Sequence, residues 1–249
     1  MRIKEQIADI DYSETRKFFA KRAEKYKKNN PYSVTMYQDN SPELVRERNR
    51  VEIEKLRPKL HLSKNSRILD IACGIGRWAD AVNVEIDEYC GIDFSKELIG
   101  IANQRNKKEN FFFYEGGINE IEKVLWEKKE GERVKYNTIL LLGIFVYLND
   151  KDLLQGLRAV EKVCEEQAVL CIREPVGILE RLTLKDFFSE ELQDNYNAIY
   201  RTREELQVFL DEAFLQKGFS VIEEGFLFDE DRLNNRKETA QYYYVIERK

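Results

Sequence analysis

A single histidine, His61, occurs in 249 residues, so the side chain that most often serves as a general base near neutral pH has one possible position. It lies on the approach to the first strand of the predicted main sheet, away from the strand carboxyl ends where open α/β sheets bind ligands. We therefore expect it to be structural or exposed. Four cysteines (Cys73, Cys90, Cys164, Cys171) form no C-x-x-C pair, which points to reduced, packed thiols and away from zinc or disulfides. No run approaches the ~18 apolar residues of a membrane span, and Met1-Arg2-Ile3-Lys4-Glu5-Gln6 lacks a signal peptide's apolar core. The expectation is a cytoplasmic protein without a membrane partner. A surplus of positive charge is also missing: 46 acidic residues face 41 basic ones, a net charge of −5. That balance argues against a dedicated nucleic-acid binder and for a small-molecule acceptor or ligand.

The stretch Arg67-Ile68-Leu69-Asp70-Ile71-Ala72-Cys73-Gly74-Ile75-Gly76-Arg77-Trp78 is the centre of the pattern. It predicts a buried strand, a tight glycine turn and a helix over residues 77–84. Glycines at 74 and 76 allow a sharp turn and let a ligand reach main-chain N–H groups. Asp70 sets a carboxylate beside that cradle. Residues 88–95 read as a second strand ending in Asp93, 17 residues beyond Gly76, near the spacing at which such folds place a carboxylate on ribose hydroxyls. Ser95 is the expected cap of a helix over 96–105.

Further strands are expected over 111–118, 136–143 and 168–175, followed by an irregular insertion over about 175–200. Thr202 and Glu205 form a capping box for the next helix, and a hairpin of residues 219–228 and 241–247 closes the chain. Ahead of the sheet, residues 13–28 and 42–57 read as helices, separated by a loop with Tyr32, Tyr37, Gln38 and Asp39 that could hold a polar ligand. We expect an N-terminal helical arm or lid (1–62) on a core of 63–249. The fold class is a doubly wound α/β sheet.

Gly74-Ile75-Gly76-Arg77-Trp78-Ala79 fits the loose dinucleotide pattern, so an NAD-dependent oxidoreductase is one alternative and a non-catalytic cofactor-fold binding subunit another. The wider string Asp70-x-Ala72-x-Gly74-x-Gly76 resembles the signature of class I S-adenosylmethionine-dependent methyltransferases, with Ala72 in place of the first glycine. An acid before the turn suits a cationic methionyl amine and would repel a pyrophosphate. The resemblance implies a mostly parallel seven-stranded sheet with an antiparallel final strand and S-adenosylmethionine as cofactor. It places Arg48 on the methionyl carboxylate. It further implies that Asp70, Ala72, Cys73, Gly74, Gly76, Leu142 and Gly143 surround the methionyl part, Asp93 and Phe94 the ribose, and Gly117 and Ile118 the adenine. The family's usual adenine-binding aspartate is replaced here by Gly117.

Size and the aromatic arm are similar to methyltransferases of bacterial surface-polysaccharide and deoxysugar pathways, implying a sugar or nucleotide-linked sugar as acceptor, methylated on O or N by a monomer or homodimer. For an oxygen acceptor, the candidate bases are Glu174, then Asp150, Tyr37 and Tyr147. Arg173, Arg181 and Arg201 are candidate anchors for a phosphate or carboxylate.

Overall fold

The computed structural model describes residues 1–37, 39–190 and 192–249, and Gln38 of the expected ligand loop lies outside them. Strand β1 (Arg2–Lys4) precedes helix α1 (Tyr12–Glu24), whose N-cap Asp11 accepts the Ser13 N–H. The short α2 (Ser33–Met36) and α3 (Pro42–Leu56) follow, the latter with proline in its first turn. Then come β2 (Arg67–Ile71), β3 (Glu88–Asp93), α4 (Lys96–Arg105), β4 (Phe111–Glu115), α5 (Ile121–Lys128), β5 (Tyr136–Leu142), α6 (Asp150–Lys162) and β6 (Cys164–Gly177). The last third holds β7 (Leu182–Ser189), β8 (Asp194–Tyr200), α7 (Arg203–Ala213), β9 (Ser220–Phe226) and β10 (Thr239–Arg248).

Seven strands form the main sheet in the order β4-β3-β2-β5-β6-β10-β9, with β10 antiparallel to both neighbours. Period-two alternation sends Leu69, Ile92, Ile139 and Leu170 against α5, α6 and α7, while Ile68, Tyr89, Leu140 and Cys171 pack on the opposite face with α3 and α4. The chain reverses direction beside β2, where β3 and β5 flank it, so the ends of these strands open a crevice. All four cysteines are free and buried, and His61 is exposed.

Two expectations need correction. No helix follows the glycine turn: only a 3-10 turn, Ala79–Ala81, stands where residues 77–84 were read as helical. Arg77 and Trp78 are pulled instead onto Glu52 of α3, and Val82, Asn83 and Val84 have little helix propensity with which to resume the spiral. The segment read as an irregular insertion contains β7 and β8, which with β1 form a separate three-stranded antiparallel sheet. With Phe18, Phe19 and Ala23 of α1, its inner face builds a third core over the crevice. Among the described residues, no helix is long and apolar enough to cross a membrane.

Candidate active site

A cavity of about 360 Å³ opens at the carboxyl ends of β2, β3, β4 and β5 under α1, within the size range of small-molecule sites. Asp70, Ala72, Cys73, Gly74, Asp93 and Phe94 share its wall with Gly117, Ile118, Leu142, Gly143 and Arg48. One space therefore brings together the residues expected around a nucleoside and an amino acid, except Gly76, which supports the turn from behind with φ +73°.

The turn is built from backbone bonds: Ala72 and Cys73 donate N–H to the Ile92 carbonyl, at 2.7 and 3.1 Å, lashing β2's exit to β3. Ala72 (φ +61°) and Gly74 (φ +56°) both adopt the left-handed region. At Gly74 a Cβ would come within 2.7 Å of the Thr35 methyl, so this position needs glycine on both counts. Gly74 N–H donates to Asp93 Oδ2 at 2.9 Å, and Ser95 N–H to Oδ1 at 2.8 Å. Each Asp93 oxygen keeps a lone pair for a ligand hydroxyl.

Asp70 and Asp93 are only 3% and 4% exposed. Burial pushes Asp70 up to about 7, against the Tyr89 hydroxyl that donates to it and the charge of Arg77. Burial likewise raises Asp93 to about 6, against its two amide donors. Two carboxylates this reluctant to ionise call for a cationic or hydroxyl-rich partner.

Behind the turn stands a buried ionic cluster. Glu52 Oε1 accepts from Arg77 at 2.6 Å and from the Trp78 indole at 2.7 Å, while Oε2 lies 3.2 Å from Arg173 Nε. Burial alone would raise Glu52, but Arg173 and Arg77 outweigh it and hold the carboxyl below its ordinary value. Arg48, from the same face of α3, is buried and donates to the Asn234 carbonyl at 3.2 Å.

At the other end, the wall is made by Tyr12 and Phe19 of α1, Tyr37, Tyr147, and Tyr196 and Tyr200 of β8. Arg22, fully enclosed, grips Asp39 with both terminal nitrogens at 2.6 Å and the Val34 carbonyl at 3.2 Å, fixing the loop that carries Tyr37. Asn149 clamps the arm: its side chain accepts the Ile10 N–H at 2.9 Å and donates to the Ile10 carbonyl at 3.2 Å.

Glu174, ranked first among candidate bases, lies outside the cavity wall. Its Oε1 accepts the N–H groups of Gly143, Ile144 and Phe145 at 2.9, 2.7 and 3.0 Å. Burial raises it to about 7 against those donors. The strand-end position that suggested catalysis instead makes it the peg of the β5 exit loop. The expected anion anchors are also occupied: Arg181 and Arg201 both bind Asp150, at 2.8 and 2.6 Å, and Arg173 binds Glu52.

The cavity also contains Asn119, Thr35, Tyr196, Tyr200 and Gln241, which sequence reasoning did not single out. Asn119 and Glu120 follow Gly117, and Glu120 Oε2 accepts the Gly117 N–H at 3.2 Å. Their place directly after the third strand's exit was the available signal.

A family model described as a methyltransferase domain matches residues 62–247. A demethylmenaquinone methyltransferase of Lactiplantibacillus plantarum is 36% identical over 50 residues, covering 19% of this chain and 21% of that protein. The match thus spans about a fifth of that relative's length. Magnesium protoporphyrin IX methyltransferase of Synechocystis PCC 6803, solved with bound SAM, superposes with a TM-score of 0.61 at 12% identity, over 98% of this chain and 100% of that one. The N-methyltransferase NodS of Bradyrhizobium japonicum WM9, in complex with S-adenosyl-l-homocysteine, gives 0.60 at 14% identity, over 94% and 98%. The chain belongs to the methyltransferase-domain family, and its core has the seven-stranded sheet fold of these solved methyltransferases.

Proposed function

We propose that this enzyme moves the methyl group of S-adenosylmethionine to a small molecule held in the same cavity, against α1 and the β7–β8 hairpin. The observation that carries this is the convergence of two buried carboxylates, Asp70 and Asp93, on one cavity beside the Gly74 turn. Asp70 suits the methionyl amine, Asp93 suits the ribose diol, and the side-chain-free Gly74 leaves room for the chain between them. Asn119 supplies an amide beside the expected adenine position.

When bound, the donor supplies an electrophilic sulfonium methyl whose departure leaves a neutral sulfide needing no proton. The protein's contribution is alignment and exclusion of water. Glu174 fixes the β5 exit loop through three amides, and the arm closes over it through Asn149 and Ile10.

The oxidoreductase alternative loses support from the missing helix after the glycine turn, since a dinucleotide pyrophosphate rests on that helix's N-terminus. A nucleotide-linked sugar is disfavoured as acceptor, because Arg181 and Arg201 are already committed to Asp150. Calorimetry with S-adenosylhomocysteine tests the donor site: binding tighter than about millimolar is expected, and its absence would count decisively against methyl transfer. Asp93→Ala should weaken that binding by about ten- to a hundredfold, the worth of hydrogen bonds to a charged group.

A further inference from the structure

Tyr37, Tyr147 and Tyr196 come from three separate segments and meet through their hydroxyls in the cavity wall. Tyr147 OH bonds Tyr37 OH on one side and Tyr196 OH, at 2.9 Å, on the other. The rings pack edge to face, Tyr147 on Tyr196 at 88° and Phe19 on Tyr147 at 84°. Val146 and Leu148 complete an apolar surround.

Three hydroxyls carry three protons and the two links through Tyr147 use two of them, so one of the three phenols keeps a proton that neither link consumes. Burial drives Tyr37 up to about 12 and Tyr147 and Tyr196 well above the ordinary phenol value, so all three stay protonated. The chain is a donor and cannot serve as a base.

The carboxylates at this end are engaged as well. Asp152 receives the Tyr12 hydroxyl, Asp150 sits between Arg181 and Arg201, and Glu174 is behind the wall. Of these only Asp152 lines the cavity, so a neutral hydroxyl held at the tyrosines has that one carboxylate, already shared with Tyr12, to take its proton, whereas an anion needs none. A neutral amine has one lone pair, which attack requires, and an ammonium has none. An oxygen anion has lone pairs for both the phenol's proton and the methyl carbon.

We propose that the Tyr37–Tyr147–Tyr196 chain is the acceptor subsite and that it selects an already ionised oxygen, a phenolate, enolate or carboxylate, on an apolar unsaturated body. This rests on the methyl-transfer function above. The oxygen anion attacks the methyl carbon, and an O–C bond forms as the C–S bond breaks with its electron pair remaining on sulfur. The negative and positive charges cancel, and no proton is transferred. The phenol whose proton neither link uses orients the anion throughout.

The test uses the full chain saturated with S-adenosylhomocysteine and 4-nitrophenol as a chromophoric probe, with benzylamine as the contrasting one. The visible absorbance of bound probe should show the anion, with its ionisation displaced to lower pH than in free solution. Tyr147→Phe and Tyr196→Phe keep the rings and break the chain. They should weaken the probe about tenfold, as loss of a charge-assisted hydrogen bond does, and leave S-adenosylhomocysteine affinity within about twofold. Tighter binding of benzylamine than of 4-nitrophenolate, unchanged probe affinity in both variants, or parallel loss of both affinities would overturn the subsite. Failure of the wild-type chain to bind S-adenosylhomocysteine would instead remove the methyl-transfer function itself.

Discussion

The cavity has two halves built in opposite ways. Its floor, around Asp70, Gly74 and Asp93, comes from one continuous run of chain in which β2, the glycine turn and β3 are neighbours in both sequence and space. Its roof joins distant segments: Arg2 of β1 pairs with Leu184 of β7, and α1 packs against β8. The floor is held by buried charge and backbone bonds, whereas the roof is held by aromatic edges and the Asn149 clamp. Local rules therefore determine the floor, and long-range pairing determines the roof.

Substitutions separate these halves. The largest effect should come from Glu52→Ala, which leaves Arg77 and Arg173 buried without their shared carboxylate. About 3–5 kcal/mol of global stability should be lost, read as a shift in the urea midpoint. If the loss is under about 1 kcal/mol, the floor does not depend on that cluster.

Next in size is a pH effect confined to the floor. Because Asp70 is raised to about 7 and Asp93 to about 6, each holds a proton in the folded apo protein that the unfolded chain has released. Their ionisation thus costs stability as pH rises from the ordinary carboxylate range through about 6 and 7, so apo stability from these groups falls over that window. Donor binding runs the other way. S-adenosylhomocysteine affinity should fall up to about tenfold per pH unit below the raised value of Asp70, and Asp70→Asn should flatten the upper part of the profile in calorimetry.

On the roof, Asn149→Ala removes both bonds to Ile10 and should cost about 1–2 kcal/mol of local closure. Faster proteolysis of the segment before α1, with S-adenosylhomocysteine affinity changed only a few-fold, is the expected result; equal protection would show that the aromatic packing alone holds the arm. Smallest is Ala72→Gly. Relieving a left-handed alanine should stabilise the chain by up to about 1 kcal/mol, visible as a few degrees in thermal melting.

How far the sequence could be read follows the same division. Asp70, Gly74, Asp93 and the Ser95 cap were legible because strand alternation, turn chemistry and capping act over a few residues, and the fold class followed from the order of those signals. Residues 182–200 were misread as irregular because β7 and β8 are only partly alternating, with register shifts between Leu184 and Phe187. Their partner β1 also lies at the far end of the chain. Glu174 was ranked first because a strand-end acid looks the same on paper whether it faces a ligand or, as here, accepts three backbone amides. The tyrosine chain was only half visible: Tyr37 and Tyr147 stood out in their loops, but nothing local indicated that Tyr196 would join them.

Ala72 has a further implication for how such chains are found. Amide directions around the turn are set by torsion angles, and at φ +61° alanine reaches a left-handed angle that ordinarily favours glycine. A text pattern that insists on three glycines would discard this protein, although its main chain forms the loop intact. Searches keyed to handedness at that position, with the letter left open, would retain it and others like it.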